Sequence, residues 1–267
     1  MRAQALHADV IVATGALLHV NCVLVRGTSA KAAEETFVID SPVLPEELGT
    51  LAPLLEQASF PPPTGLLATH ADWDHLLARL AFPEAALGCA QSTAQRLAAA
   101  PGAAQRELRA FDEELLIERD RPLSLAAVQP LPVPGRCAVG ERELELHPAA
   151  GHTGEGMAVL IPWAKVLVPG DYLSSLEIPS LGDDGTVAAY LSTLERLAGL
   201  LSRVEHVVPG HGPVMDAQRA REILAQDRAY LHALLEHGAR AELPPGRRGP
   251  AQRRAHERNL TALTSAT

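Results

Sequence analysis

The chain has 267 residues, 47% of them hydrophobic and 21% charged, which is enough to bury the core of one large domain or two small ones. Its formal net charge of −9 argues against a nucleic acid as the main partner, because phosphate binding requires a basic surface. Its three cysteines are odd in number and widely spaced, which excludes a disulfide framework. No apolar run reaches the length of a membrane span. We therefore expect a cytoplasmic protein with no membrane partner.

The N-terminal half alternates predicted strands with predicted helices. The strands are short runs of apolar and β-branched residues that end at turn signals, and the helices have apolar residues at helical spacing. In chain order these are strands within 9–26, at 36–40 and at 65–69, and helices at 45–57 and, in two pieces, at 92–119. Residues 120–136 contain four prolines, which predict a loop or linker.

The same alternation repeats in the C-terminal half. The predicted elements are strands at 137–147, 157–168 and 204–209, and helices at 186–201 and 214–238. Two successive αβ halves of this kind predict sheets on the inside and helices on the outside. We expect one catalytic domain over residues 1–240, followed over residues 241–267 by an Arg/Pro-rich stretch and a short helix.

The C-terminal segment contains a small group of basic residues, namely Arg247, Arg248, Arg253 and Arg254. A local run of positive charge can bind nucleic acid, but it more commonly faces solvent. We therefore expect this segment to be a solvated, frayed tail.

Four of the 11 histidines share one sequence context: His70, His75, His152 and His211. Each follows a predicted strand and lies in a turn rich in Gly, Thr, Asp or Pro. The ends of strands are where a sheet holds polar side chains close together in a rigid arrangement. These histidines are therefore the first candidates for a functional site.

The segment His70-Ala71-Asp72-Trp73-Asp74-His75 places four potential metal ligands within six residues. A tight turn of this kind can point side chains in two directions and serve two adjacent ions, and imidazole and carboxylate suit Zn, Fe, Mn or Co. A helix N-terminus capped by Asp72 or Asp74 would explain one of these residues but not four. Three later turns contribute further candidates, namely His152, Asp171 and His211.

In this order the candidates resemble the ligand series of the metallo-β-lactamase superfamily, and the resemblance covers nearly the whole chain. It implies an α/β fold, a four-layer αββα sandwich, with the active site along one edge of the sheets. It implies two divalent metal ions, the first bound by His70, Asp72 and His152 and the second by Asp74, His75 and His211, with Asp171 bridging them. It also implies that a water or hydroxide between the ions is the nucleophile, with Asp74 as a proton acceptor.

One position departs from the usual motif of the superfamily. That motif is His-x-His-x-Asp-His, and Asp72 stands where its second histidine would be. Zinc is the first expectation for the cofactor, and the additional oxygen ligand makes iron and manganese the alternatives. Similar carboxylates occur in flavodiiron proteins and in the nuclease-like domains of DNA-uptake proteins.

The resemblance favours hydrolysis of a small ester, thioester, lactone or amide, as in glyoxalase II-like and lactonase-like members. The alternatives are a di-iron redox protein that resembles the flavodiiron core, and a phosphodiesterase or nuclease. No flavodoxin-like domain and no added nucleic-acid-binding domain is recognisable in this sequence, so we expect a small-molecule substrate.

Substrate specificity is expected to lie in loops at 41–64, 100–136 and 174–186. The sequence leaves the roles of three residues near the motifs undecided. Trp73 is expected to pack beneath its loop, Tyr172 either enters the core or reaches the substrate, and Glu155 is structural unless it contacts the site.

Overall fold

Two β-sheets form the centre of the molecule in the computed structural model, which describes residues 1–28, 34–182 and 184–265. The strands are β1 (Arg2–His7), β2 (Val10–Thr14), β3 (Asn21–Gly27), β4 (Glu35–Ile39), β5 (Pro63–Ala68), β6 (Ala86–Ala90), β7 (Gln129–Leu131), β8 (Gly135–Val139), β9 (Arg142–Pro148), β10 (Met157–Ile161), β11 (Val166–Val168), β12 (His206–Val207) and β13 (Met215–Asp216). The helices are α1 (Pro45–Gly49), α2 (Leu51–Gln57), α3 (Ala78–Ala81), α4 (Gln91–Ala99), α5 (Ala103–Leu115), α6 (Val187–Leu200), α7 (Ala217–His237) and α8 (Pro250–Ser265). Short 3₁₀ turns lie at Trp73–His75, Pro162–Ala164 and Gly238–Arg240.

The first sheet contains β1 to β7 in chain order. Strands β1 to β4 are antiparallel neighbours, whereas β4 to β7 are parallel and are joined by helical connections. Successive side chains of β3 alternate between faces, so that Val23 and Val25 point to one side and Cys22 and Leu24 to the other. Both sides of β3 are buried, which explains why its sequence is almost continuously apolar.

The second sheet has the order β13-β12-β11-β10-β9-β8. Its strands pair antiparallel except β11 and β12, which are parallel and are connected through α6. A bridge between Val20 and His211, together with a hydrogen bond from Asn21 N to Gly210 O (2.8 Å), joins this sheet to the first.

Three apolar clusters define the layers. One lies between the two sheets and contains alternate residues of both, such as Val25 and Val159. A second joins the outer face of the first sheet to α1–α5, and a third joins the outer face of the second sheet to α6–α8. This arrangement confirms the predicted four-layer αββα sandwich. Within the described ranges, no helix combines the length and the apolar character that a bilayer crossing needs.

The predicted elements differ from the observed ones mainly at the edges of the sheets. The edge strand β1 was not predicted, because most of its side chains are exposed or half-buried and its sequence gives no apolar run. Strand β7 lies within the stretch predicted to be a loop, since it has three residues and one of them is a proline. The strand predicted at 204–209 is reduced to the two residues of β12.

The expectation of a frayed, solvated C-terminal tail is wrong. Helix α8 has 16 residues, and Ala255 packs into the same cluster as α6 and α7. Arg247 is only 2% exposed, and its Nη1 atom lies 2.6 Å from Asp227 Oδ1. Three of the four arginines, Arg248, Arg253 and Arg254, are exposed as expected. The run of positive charge in the sequence did not indicate that Arg247 would pair with a buried carboxylate on α7.

Replacing Arg247 with leucine is expected to lower the free energy of unfolding by about 3–5 kcal/mol, because the Asp227 carboxylate would remain buried without its partner. The double variant Arg247→Leu/Asp227→Leu is expected to recover part of this loss, since it buries no unpaired charge. Urea unfolding followed by circular dichroism measures both variants. A single variant as stable as the parent protein would contradict the prediction.

Candidate metal centre

The seven predicted ligands all lie at one edge of the two sheets, where the strands end. The first sheet supplies His70, Asp72, Asp74 and His75, which follow β5 and run into the 3₁₀ turn. The second sheet supplies His152 from the β9–β10 connection, Asp171 after β11 and His211 after β12. Residues far apart in sequence therefore meet because the strand ends of both sheets converge.

Two glycines allow the second sheet to present its ligands. Gly170 turns the chain directly after β11 with a φ of +67°, a conformation that other residues adopt only with strain. A Cβ atom at Gly210 would overlap Asp171 Oδ1. The loop around His211 is fixed by the side chain of Asn21, whose Nδ2 donates to Pro209 O (2.7 Å) and Gly212 O (2.8 Å).

The first group of ligand atoms surrounds one point. His152 Nε2 lies 3.3 Å and His70 Nε2 3.6 Å from Asp72 Oδ2. Asp171 Oδ2 lies 3.4 Å from His152 Nε2 and 3.8 Å from His70 Nε2. Two ligands on one tetrahedral cation with bonds of about 2.1 Å are separated by about 3.4 Å, so these spacings suit a shared ion.

The second group lies beside the first and shares Asp171 with it. Asp171 Oδ1 lies 3.2 Å from His75 Nε2, and Asp171 Oδ2 lies 3.3 Å from His211 Nε2. Asp74 contacts the same two histidines, at 3.9 Å from His75 Nε2 and 3.5 Å from His211 Nε2. The structure therefore brings all seven candidates together, with Asp171 between two groups of three.

Each of the four histidines is held through Nδ1. The partners are Thr69 Oγ1 for His70 (3.0 Å), Asp40 Oδ2 for His75 (2.9 Å), Ser180 O for His152 (2.8 Å) and Leu18 O for His211 (2.9 Å). A carbonyl or carboxylate can only accept, and the Thr69 hydroxyl already donates to Asp40, so in each case Nδ1 carries the hydrogen. All four Nε2 lone pairs are consequently free to bind a cation at the centre.

Three buried atoms at the centre have no hydrogen-bond partner among the described residues: His70 Nε2, His75 Nε2 and Asp171 Oδ1. A buried polar atom left unsatisfied costs about 1–3 kcal/mol, and native proteins contain few of them. Divalent cations would satisfy all three, and the imidazole and carboxylate donors have the right chemistry. The residues present therefore fit a metal centre.

Asp40 supports the centre from the side away from the cleft, although the sequence predicted it only as the last residue of the strand at 36–40. Its carboxylate accepts from His75 Nδ1 and also from Thr69 N (2.8 Å) and Thr69 Oγ1 (2.9 Å). It thus orients His75 directly and His70 through Thr69. The signal that could have identified it is its place at the end of β4, next to the strand that carries the motif.

The comparisons with known proteins agree with this geometry. The sequence model of the metallo-beta-lactamase superfamily matches residues 15–211. The chain belongs to this superfamily. Members of the metallo-β-lactamase superfamily are generally metal-dependent hydrolases and typically bind two divalent ions. No curated protein matches the sequence.

Several solved structures share the metallo-β-lactamase fold at low sequence identity. The sec-alkylsulfatase Pisa1 from a Pseudomonas species has a TM-score of 0.70 and 14% identity, over 99% of this chain and 50% of that chain. A beta-lactamase domain protein from Burkholderia ambifaria has a TM-score of 0.66 and 19% identity, over 98% and 85%. The DIM-1 metallo-beta-lactamase has a TM-score of 0.59 and 18% identity, over 84% and 94%. The present chain therefore spans half the length of the alkylsulfatase, and these similarities concern the fold alone.

Asp72, the residue that departs from the usual motif, has a basic neighbour that the sequence analysis missed. Arg96 Nη2 on α4 lies 3.7 Å from Asp72 Oδ1, and Arg96 also pairs with Glu155 (3.2 Å) and Asp184 (3.7 Å). Burial opposes ionisation of Asp72, but His70 and His152 outweigh burial and hold the pKa of the carboxyl well below its usual value. Asp72 is therefore an anionic oxygen donor at neutral pH.

Glu155 has a structural role. Its buried carboxylate accepts from Ala71 N (3.0 Å) and from Arg96 and Thr93, so it ties the loop of His152 to the loop of the ligand motif. Tyr172 is 2% exposed and belongs to the core, where its hydroxyl accepts from His152 N (3.0 Å) and donates to Ala149 O (3.2 Å).

Trp73 is half-buried and packs against the apolar cluster of the first sheet and α1–α5, where its ring contacts Phe111 with centroids 4.5 Å apart. Both residues also border an open cleft of about 1060 Å³ whose floor is the metal centre. The cleft walls come from residues 177–186, of which residue 183 lies outside the described part, and from α8. The loop at 174–186 thus lines the site as expected, whereas residues 41–64 are not among the described lining residues and α8 replaces them.

The metal-free protein is expected to lose stability as the pH rises from about 7 to 10. Burial would lower the pKa values of His152 and His211, but the neighbouring Asp72 and Asp171 carboxylates outweigh it and raise them to about 9 and about 10. This stabilisation is complete below the unfolded pKa of about 6.5 and is lost as the pH passes through the folded values. Metal-bound imidazoles carry no such proton, so the loaded protein should change less. Urea unfolding with and without chelator measures this, and parallel pH profiles would contradict it.

Proposed function

We propose that this chain is a binuclear metal-dependent hydrolase that cleaves an ester, thioester, lactone or amide bond in a small molecule. The observation that carries the proposal is the set of four Nε2 atoms and three carboxylates that face one centre, with Asp171 shared between two groups. Membership in the metallo-β-lactamase superfamily supports the same reaction class.

The protein side chains have distinct tasks in this reaction. His70, Asp72 and His152 would hold one ion, Asp74, His75 and His211 the other, and Asp171 both. When bound, the ions would lower the pKa of a coordinated water and polarise the bond to be cleaved. Asp74, 8% exposed and facing the cleft, is placed to accept a proton from the attacking water.

The character of the cleft supports a small, uncharged or weakly charged substrate. Apart from the ligands, its walls are built mainly from apolar and small side chains such as Ile178 and Ala255. In the part of the lining that the structure describes, Arg258 is the one lysine or arginine. A nucleic acid would need a broader basic surface, and the volume of about 1060 Å³ is that of a small-molecule site.

The choice of ion is part of the proposal. Zinc is the first expectation from the superfamily, and Asp72 makes iron or manganese the alternatives, because an additional oxygen ligand suits harder cations. Three carboxylates also offset most of the charge of two divalent ions, which reduces the cost of holding them close together.

The test is elemental analysis of the purified protein together with an ultraviolet–visible spectrum and a substrate panel. About two zinc or manganese ions per chain without visible absorption, and turnover of an ester, thioester, lactone or amide, is the expected result. Phosphodiester and oligonucleotide substrates in the same panel test for a nuclease. Two irons with a band that bleaches on reduction, and no hydrolysis, would favour a redox protein. No metal after reconstitution would overturn the proposal.

A further inference from the structure

A fourth carboxylate, that of Glu177, lies beside the centre on the side of the cleft. A carboxylate oxygen of Glu177 lies within 4.8 Å of the ligand atoms of Asp171 and His211. Glu177 also borders the cleft together with those two residues. Neither the ligand motif nor the resemblance pointed to it, because Glu177 lies in a loop without a recognisable pattern.

The backbone of Glu177 is fixed relative to His211 by a single hydroxyl group. Ser174 Oγ donates to His211 O (2.8 Å) and accepts from Glu177 N (3.0 Å). The carbonyl of Glu177 accepts from the buried guanidinium of Arg247, at 2.7 Å from Nη1. The position of Glu177 therefore follows the position of a metal-centre histidine, which is how a ligand has to be held.

The Glu177 side chain is exposed to the cleft, and its carboxylate lies among the charged groups of the centre. Within the described residues, no lysine or arginine pairs with its carboxylate and no hydrogen bond reaches it. Its charged neighbours include the carboxylate of Asp171, which repels it, and the imidazole of His211, which attracts it when protonated. A carboxylate gathered with others in this way is stabilised by a cation placed between them.

We propose that Glu177 is an additional ligand of the second metal ion, alongside Asp74, His75, His211 and the shared Asp171. The proposal rests on the binuclear centre proposed above and makes that site richer in oxygen than the usual ligand series. A site of three carboxylates and two imidazoles suits a hard cation of five or six ligands, such as Mn²⁺ or Fe²⁺, better than four-coordinate Zn²⁺.

The experiment is chelator competition with Mn²⁺ and, separately, Zn²⁺, on the full chain and three variants. Glu177→Gln should lower the affinity for the less tightly bound of the two Mn²⁺ ions by roughly tenfold or more. The affinity for the less tightly bound Zn²⁺ ion should fall by less, because zinc retains four ligands without Glu177. Glu177→Asp keeps the charge but shortens the side chain by one methylene group, so that its carboxylate no longer reaches the ion. It should therefore also lower the affinity for Mn²⁺. Asp184→Asn removes an equal charge from the same cleft and should have a clearly smaller effect.

These measurements distinguish a side chain that binds the cation from a charge that acts on it only at a distance. Equal weakening by Glu177→Gln and Asp184→Asn, or binding by Glu177→Asp as tight as in the parent protein, would overturn the proposal. A Co²⁺ absorption spectrum provides an independent readout, since d–d bands are weaker at higher coordination number and should strengthen in Glu177→Gln. An unchanged spectrum would count against Glu177 as a ligand. Failure of the parent protein to bind any cation would instead overturn the binuclear centre itself.

Discussion

Replacing Asp72 with alanine is expected to remove one of two bound cations and most of the hydrolytic activity while leaving the fold intact. Asp72 Oδ2 lies 3.3 Å from His152 Nε2, and its loss would leave the first ion with two histidines and a shared carboxylate. The side chain is 33% exposed, so no core packing depends on it. We expect kcat/KM to fall by at least about 100-fold, which corresponds to about 2.7 kcal/mol of transition-state stabilisation. Elemental analysis and kinetics on the same preparation measure both effects.

Two further variants give this experiment its controls. Asp120→Ala removes an exposed carboxylate remote from the cleft and should bind and hydrolyse as the parent protein does. Asp72→His restores the more common ligand and should shift the metal preference towards zinc. Retention of two ions by Asp72→Ala would remove this residue from the ligand set, and an unchanged preference in Asp72→His would show that residue 72 does not determine it.

The clustering of the seven candidate ligands could be predicted from the sequence, because each has a recognisable local sequence context. They follow strands, and three of the seven, His152, Asp171 and His211, stand next to glycine. The order of the motifs indicated the superfamily. The alternation of strands and helices predicted sheets inside and helices outside, since central strands such as β3 must be apolar on both faces. The four-layer arrangement itself was implied by the resemblance to the superfamily.

The residues that hold the candidate ligands in place have no recognisable local sequence context. Arg96 lies on a helix with an ordinary alternation of polar and apolar residues, and its relation to Asp72 depends on how α4 packs on the sheet. The burial of Arg247 depends in the same way on α7, since the Asp227 partner is 20 residues away in the chain. Contacts between distant segments are set by the tertiary arrangement, and hydrophobic periodicity contains no information about them.

A residue of helix α8 supports the candidate metal centre through hydrogen bonds to the loop before α6. Asn259 is fully buried, and its side chain holds both neighbours of Ser180: Oδ1 accepts from Leu181 N (2.8 Å) and Nδ2 donates to Pro179 O (2.7 Å). The carbonyl of Ser180 is the acceptor that orients His152, at 2.8 Å from Nδ1. One amide in the C-terminal helix thus fixes the orientation of a metal-centre histidine more than 100 residues earlier in the chain.

Replacing Asn259 with alanine is expected to lower the free energy of unfolding by about 2–4 kcal/mol, because a buried amide and carbonyl of the 179–181 segment would lose their partners. The acceptor of His152 would then be free to move, so affinity for the first cation should fall by about tenfold. Urea unfolding and chelator competition measure the two effects. Arg254→Ala on the exposed side of the same helix is the control, and it should change neither quantity. A variant that is less stable but binds both cations as tightly as the parent protein would show that Asn259 supports the fold without positioning His152.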